Sequence, residues 1–416
     1  MTPDSRLDDP SLHPNDPSLH PNDPSLHPND PSLHAARPLR IAIVAHHALG
    51  GSGVMAVEWA RLLAGRGHEV QLFRTGGNPR DSTLPRRNSP GTLTQHTVKA
   101  PPHPVLDGPS DVTAMAAALI DAHTHATLDI VHIHYALPFA LIVPLLRALP
   151  NAPRCVVSLH GTDVTGIGAD TSYRSAMRLA LACADVVTTP SRWLSCEAEA
   201  TLGLTGTRLL ANFVDLGRFA PSASGPQSTR DDVARAFGCD DGTPVVLHAS
   251  NFRAVKRVGD VVESVRAMPK RARLILVGDG PELAQTLNHA RTVLGEDVAS
   301  IGAVDDPVRY FQQSDAMLLP SSSESFGLAA LESLACGTPV VTSNAGGLPE
   351  WLTGTRAARL CPVGDISGFA TALSDLVFSP VLRTDLREQA RAVACRVGDP
   401  NNAAIAAEAL YTHASP

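Results

Sequence analysis

Two successive series of short apolar runs, each run followed by a stretch with apolar residues at helical spacing, constrain this 416-residue chain more than any other feature. LRIAIVA from Leu39, EVQLF, IVHIH, CVVSLH and VVTTP form the first series. PVVLHAS, RLILVG, a run near 298–301, AMLLP and PVVTS form the second. Strands without polar alternation are buried on both faces, and strands that alternate with helices pair in parallel. The pattern therefore predicts an α/β protein: two Rossmann-like domains with parallel sheets that face each other across a cleft. The expected boundaries are 38–214 and 215–395, with the linker near Pro221–Gly225 and a C-terminal helix (396–416, densest at 402–412) free to pack back on the first domain. Residues 76–109, rich in Pro, Gly, Arg and Thr, read as irregular loops. Helices are expected near 111–126, 139–148, 172–183 and 191–201, and then near 257–267, 281–293, 307–313 and 327–335.

Ahead of this lies a tail, 1–37, in which DPSLHPN recurs from Asp9, Asp16 and Asp23, with a truncated copy from Asp30. Two prolines per copy forbid a continuous helix and one leucine cannot fill a seam, so the repeat reads as disordered rather than as a coiled coil. Its evenly spaced histidines (13, 20, 27, 34) could bind a metal only loosely.

Composition excludes several function classes. Lys plus Arg number 34 against 41 Asp plus Glu, a net charge of −7, which leaves no electrostatic footprint for nucleic acid or an anionic membrane. The longest uncharged apolar run, Ala136–Leu146, holds two prolines and falls far short of the ~20 residues that span a bilayer, so no stable membrane insertion is expected. The seven cysteines contain no CxxC, and the amino terminus shows no basic segment followed by an apolar one. A reducing, cytoplasmic setting follows as the expectation, with a homo-oligomer left open.

Three patterns carry possible chemistry. Gly51-Ser52-Gly53-Val54-Met55-Ala56 fits G-x-G-x-x-A between a strand and a helix. The acidic residue that would hold an NAD ribose is replaced by Arg74 and Thr75; this disfavours NAD, keeps an NADP reading alive, and leaves a plain tight turn or another anion at the helix terminus as alternatives, the last preferred. In the second half, Glu324 and Glu332 bracket ESFGLAALE, with CGTP and NAGGLPE after it. Counted as eight helical steps, the two carboxylates stand on the order of 10 Å apart, able to bracket two hydroxyl-bearing parts of one ligand. The H-x-H pairs at His123/His125 and His132/His134 lack a further ligand type, so no metal site is expected; no D-x-D occurs in the chain, which points to metal-independent chemistry.

E-x7-E after a strand, in the second of two Rossmann-like domains, resembles the retaining glycosyltransferases of family 4, with the GT-B fold. GGSG at 50–53, HYALP at 134–138, LHGTD at 159–163, NFVD at 212–215, SNFRAVKRV at 250–258 and VGDGPE at 277–282 extend the resemblance over about residues 39–412. E-x7-E and VGDGP mark the broad family, whereas HYALP, LHGTD and SNFRxVKR together resemble its bacillithiol-pathway branch. The resemblance implies an enzyme without cofactor that moves N-acetylglucosamine from UDP-N-acetylglucosamine to L-malate, the first step of that pathway. It implies Glu332 on the ribose hydroxyls, Glu324 on the sugar 3-hydroxyl, and His160 near the sugar 6-hydroxyl. The diphosphate would meet backbone amides at Gly50, Gly51 and Ser52 and at Ser325, Phe326, Gly327 and Leu328, with Arg253 and Lys256 as cationic clamp. Asn251 and Gly278 complete the implied donor site, and Ser52, Tyr135, Thr162 and Arg178 the implied malate site. Relatives outside the branch carry arginine where Asn251 stands, so which of Arg253, Lys256 and Arg257 faces phosphate stays open. Three rivals remain: a family 4 enzyme with another acceptor, such as an inositol phosphate or a lipid-linked sugar; an NADP-dependent oxidoreductase; and a non-catalytic nucleotide-sugar binder.

Overall fold

The computed structural model describes residues 37–46, 51–76, 90–100, 111–222, 231–238 and 242–412. The heptapeptide repeat, Gly50, Cys239 and the stretch from 223 to 230 lie outside them. Within the described residues the first sheet contains β1 (Arg40–Ala45), β2 (Glu69–Thr75), β3 (Thr92–Val98), β4 (Ile130–His134), β5 (Arg154–Ser158), β6 (Val186–Thr189) and β7 (Arg208–Leu209), in the order β3-β2-β1-β4-β5-β6-β7. The second contains β8 (Val245–Ala249), β9 (Arg273–Val277), β10 (Val298–Gly302), β11 (Ala316–Leu319), β12 (Val340–Ser343) and β13 (Ala358–Cys361), in the order β10-β9-β8-β11-β12-β13. Every pairing is parallel. The strands β4 and β9 are buried at every position, including His132, His134 and Arg273, as strands covered on both faces require.

Three expectations are corrected here. The stretch 76–109 is not irregular throughout, because Thr92–Val98 pairs with β2 along its whole length. As an edge strand it is covered mainly on one side, so TLTQHTV carries none of the apolar signal of a central strand. Gly91 leads into it where a Cβ would stand 2.2 Å from the His68 carbonyl oxygen. The single helix expected over 139–148 is a 3₁₀ turn, Phe139–Ile142, followed by a short helix, Val143–Arg147, which Pro144 opens. Glu324 to Gly327 precede the helix Leu328–Ala335, so the eight-step helical spacing between the two glutamates does not apply.

The chain crosses between the two bodies twice, and the crossings lie side by side: the Val214 amide donates to the Gly398 carbonyl at 3.2 Å. Arg391, on the helix Pro380–Val397, donates to the Phe219 and Leu216 carbonyls at 2.6 and 2.8 Å and ties the outgoing segment down. The final helix, Pro400–Thr412, then covers the first sheet, where Ala407 and Tyr411 join a core built on Ile41, Ile43, Met55 and Trp59. Its Glu408 is buried against Arg66 (2.6 and 2.9 Å) and His68 (3.1 Å). Burial works to raise its carboxyl, but the bonds from His68 and Arg66 prevail and hold it below the usual range. Glu408→Ala leaves Arg66 without its carboxylate in a mostly dry site, so chemical denaturation should show a loss of about 3 kcal/mol, with Glu408→Gln losing less. An unchanged unfolding midpoint would show that the helix is held by its apolar face alone.

Candidate functional site

In both sheets the strand order reverses between two neighbours, β1 and β4 in the first and β8 and β11 in the second. At such a switch point the loops that leave the carboxyl ends diverge and open a crevice. The candidate residues lie on those loops: Gly51 and Ser52 after β1, Tyr135 after β4, Asn251 to Lys256 after β8, and Glu324 to Leu328 after β11. Lining both crevices with the candidate residues is thus a property of the topology.

On the second sheet, Lys256 Nζ lies 2.6 Å from Glu324 Oε1, and Ser321 Oγ donates to the same oxygen at 2.8 Å. Glu324 Oε2 is the oxygen left for a ligand. The peptide of Glu324 is gripped by a glycine pair: the Gly347 amide donates to the Glu324 carbonyl at 2.7 Å, and a Cβ on Gly346, whose φ is 66°, would stand 2.0 Å from that oxygen. Behind Lys256, Phe252 is fully buried and the Ser250 hydroxyl accepts from its amide at 3.1 Å, with His248 Nε2 2.8 Å from the same hydroxyl. Gly278 and Gly280 let the neighbouring loop press on this one, since a Cβ at either would stand 1.9 Å from the carbonyl of Ser250 or Asn251. Of the three cations left open by the sequence, Arg257 is paired with Asp260 at 2.6 Å on its own helix, Lys256 faces Glu324, and Arg253 is exposed. The Asn251 Oδ1 atom is buried without a hydrogen-bond partner among the described residues.

Four residues past Leu328, within the same helix, Glu332 sits half-buried. Burial pushes its carboxyl up to about 8, with Arg218 opposing and Glu58 of the first body adding to the rise. Phe326 is core: its ring stacks on Trp351 and its carbonyl accepts from Trp351 Nε1 at 2.9 Å. Gly327, with φ 87°, caps the helix Leu328–Ala335 and turns its open amide end toward the crevice.

On the first sheet a fully buried carboxylate organises the loops. Asp163 accepts from the amides of Gly161 (2.8 Å), His160 (3.0 Å) and Ala136 (3.2 Å), so one side chain joins the segment after β4 to the segment after β5. Tyr135 lies between them with φ 76°, its amide donating to Ser158 at 3.0 Å. Burial is the main reason its ionisation is pushed up, while its hydroxyl is hydrogen-bonded to Thr162 and sits within the field of Arg253 from the opposite body. His160, whose imidazole burial holds down at about 4, is 3.2 Å from the ring of His134.

Two contacts close the crevice. Ser325 Oγ donates to the His160 carbonyl at 2.6 Å, and Glu350 accepts from the amides of Arg192 and Trp193 at 3.0 and 2.7 Å, capping the helix Arg192–Leu202 of the first body. Gly161 and Gly347 sit at this junction; a Cβ on the first would stand 3.2 Å from Ser325 Cβ, and on the second 2.7 Å from Ser191 Cβ.

The structure thus brings together Tyr135, His160, Thr162, Arg253, Lys256, Glu324 and Ser325. Gly51 and Ser52 open the helix Gly51–Gly65, Ser52 half-buried. Arg178 is not assembled with them: it is exposed on the helix Thr171–Ala182, and its guanidinium lies 3.4 Å from where a Cβ on Gly203 would be. Arg74 and Thr75 are both buried at the end of β2. Of the H-x-H histidines, His123 bonds to Pro150 and Leu128 and His132 to Tyr411 and Ser158; no group of three metal-ligating side chains occurs among the described residues. Sequence reasoning missed Asp163, Ser321, His134 and Glu350 as site-forming residues. Only Asp163, two or three residues from the amides it binds within LHGTD, left a local signal.

Comparison with known proteins extends this geometry. Residues 49–218 match the model of Glycosyltransferase Family 4, and residues 229–393 match that of Glycosyl transferases group 1. The chain is 33% identical to the N-acetyl-α-D-glucosaminyl L-malate synthase of Bacillus anthracis, over 85% of this chain and 91% of the relative. It is 28% identical to the D-inositol 3-phosphate glycosyltransferase of Acidothermus cellulolyticus, over 86% and 87%. In fold it is similar to sucrose-phosphate synthase from Thermosynechococcus elongatus, with a TM-score of 0.73 at 22% identity over 89% of this chain and 98% of the other. Anabaena HepE in complex with UDP-glucose superposes with a TM-score of 0.70 at 19% identity, over 89% and 98%.

Gly346→Ala should force the Glu324 peptide to move by about 1 Å, since real Cβ contacts below 3.0 Å do not occur. Turnover of the folded protein should then fall about a hundredfold, and the unfolding midpoint should fall as well, because the clash is with backbone and a side chain at φ 66° is strained. Near-normal turnover would show that the position of Glu324 is not critical.

Proposed function

The chain belongs to the family 4 glycosyltransferases, enzymes of the GT-B fold, and from that premise we propose that it transfers N-acetylglucosamine from UDP-N-acetylglucosamine to the hydroxyl of L-malate, with retention at the anomeric carbon. The observation that carries this reading is the Lys256–Glu324 pair at the second switch point, beside an open helix terminus and across the junction from His160. In the proposed complex the amides at Gly327 and Leu328 and the Lys256 ammonium face the diphosphate, where a helix terminus and a cation both favour negative charge. Glu324 Oε2 takes a sugar hydroxyl and Glu332 the ribose diol. Arg253, exposed beside Tyr135, suits one malate carboxylate, with Thr162 and Ser52 as hydroxyl donors. Arg178 would reach that pocket only by swinging off Gly203.

The proposed reaction is a same-face displacement. The bond from the anomeric carbon to the β-phosphate oxygen breaks, the bond to the malate oxygen forms, and the malate proton passes to the departing phosphate. Lys256 and the helix terminus stabilise the charge that accumulates on UDP. Glu324, paired with Lys256 and Ser321, is held for a hydroxyl rather than as a nucleophile; a glycosyl adduct trapped on it would refute this mechanism.

Release of UDP from UDP-N-acetylglucosamine in EDTA should depend on added L-malate. Release with an inositol phosphate and none with malate would move the assignment to the acceptor named for the 26–28% identical relatives. Arg178→Ala should raise KM for malate and leave UDP affinity unchanged; equal loss for both would indicate misfolding. Glu332 accepts best from two ribose hydroxyls when it is ionised, yet burial pushes its carboxyl up to about 8 in the free protein. UDP binding should therefore release a proton below that pH, with affinity rising up to about tenfold per pH unit and levelling above it. Calorimetry in two buffers of different ionisation enthalpy reads the proton directly, and Glu332→Gln should abolish it.

A further inference from the structure

We infer that His134 is a positioning residue for His160: it fixes the tautomer in which His160 Nε2 is a bare acceptor and Nδ1 carries the proton. The argument starts from two neutral rings. His134 Nδ1 and His160 Nε2 are 3.2 Å apart, so one of the two nitrogens donates and the other accepts. Both rings are kept uncharged by burial, His160 at about 4 and His134 well below the usual imidazole range, so each carries one proton. The direction of the bond is decided by the far side of His134. Its Nε2 atom is buried and has no hydrogen-bond partner among the described residues. If His160 donated, the single proton of His134 would have to sit on that Nε2 as a buried, unpaired N–H. If His134 donates from Nδ1, Nε2 is only an unpaired lone pair, and buried orphan acceptors are tolerated more readily than orphan donors. The bond therefore runs from His134 to His160, and the proton of His160 is on Nδ1.

The pair is held from behind. His132 stacks on His134 with ring centroids 4.2 Å apart, and is itself fixed by Tyr411 Oη and Ser158 Oγ, both at 2.7 Å. His134 thus cannot turn away without disturbing a buried stack anchored by the C-terminal helix. His160 keeps part of its surface open at the junction of the two bodies, where its carbonyl accepts from Ser325. The nitrogen left for a ligand is Nδ1–H, a hydrogen-bond donor. A donor at that place binds a sugar oxygen and cannot remove a proton from an acceptor, which agrees with a reaction in which phosphate takes the proton. This last step rests on the proposed function; the tautomer itself does not.

The test is nitrogen-15 spectroscopy of the full chain with labelled histidine at neutral pH and without ligand, the His160 signals being assigned by their loss in His160→Asn. We expect Nδ1 in the protonated range and Nε2 in the bare-nitrogen range. The opposite pattern overturns the inference whatever the enzyme's substrates are. His134→Leu should give His160 a mixture of tautomers and lower kcat about tenfold with a smaller effect on UDP affinity, and His134→Gln, which restores a donor, should recover most of the rate. An unmixed Nδ1–H pattern in the leucine variant would likewise overturn it. Absence of malate turnover with the expected spectrum would count against the acceptor assignment and not against the tautomer.

Discussion

The buried carboxylate of Asp163 is the interaction on which the acceptor side depends. Three backbone amides from two different loops converge on it. Because burial alone would make such a carboxylate costly, its place in the fold is secured only by those donors; together they fix the turn that presents Tyr135 and the turn that presents His160. The rest of the first crevice is built outward from that knot. Thr162 meets the Tyr135 hydroxyl, and the carbonyl of His160 is aimed at Ser325 of the other body.

The second body supplies a complementary kind of order, imposed by lack of space. Gly278, Gly280, Gly346 and Gly347 each stand where a side-chain carbon would strike backbone within 2.4 Å. These contacts press the loops after β8, β9, β11 and β12 into one compact rim that carries Lys256 and Glu324 side by side. The two bodies then meet through few but directional bonds, Ser325 to His160 and Glu350 to the first amides of the helix Arg192–Leu202. Beside these bonds Leu328 of the second body packs on the apolar core of the first, so the junction is both polar and apolar.

Much of this was legible in the sequence, and the reasons are local. The central strands announced themselves as apolar runs, the helices between them by period, and the motif residues by their place just past strand ends. Edge and short elements were not legible: β3 has too few apolar residues, and β7 and β13 are too brief to show a period. The Glu324–Glu332 spacing misled because four of its residues form a loop, and a loop has no fixed rise. Arg178, implied by the resemblance alone, lies against Gly203, because a helix surface position does not determine where a long side chain lies. The Ala136 amide that Asp163 binds and the amides that Glu350 caps come near only in the folded chain, and His134, read as half of an H-x-H pair, gained its role only from its partner across the sheet.

The helix that closes the first core is made after every strand of both sheets. Ala407, Glu408 and Tyr411 complete a body whose strands begin at Arg40, so the entire second body is inserted between a core and its own lid. During synthesis the core around Trp59 and Ile41 stays incomplete until residues 400–412 leave the ribosome, whereas the second body has all of its strands well before then. The two halves are therefore not separable pieces of machinery. A fragment cut at the first crossing would keep Tyr135 and His160 but lose the buried hydroxyl that anchors His132 beneath them, and a donor half and an acceptor half produced apart would have to exchange that helix before either was whole.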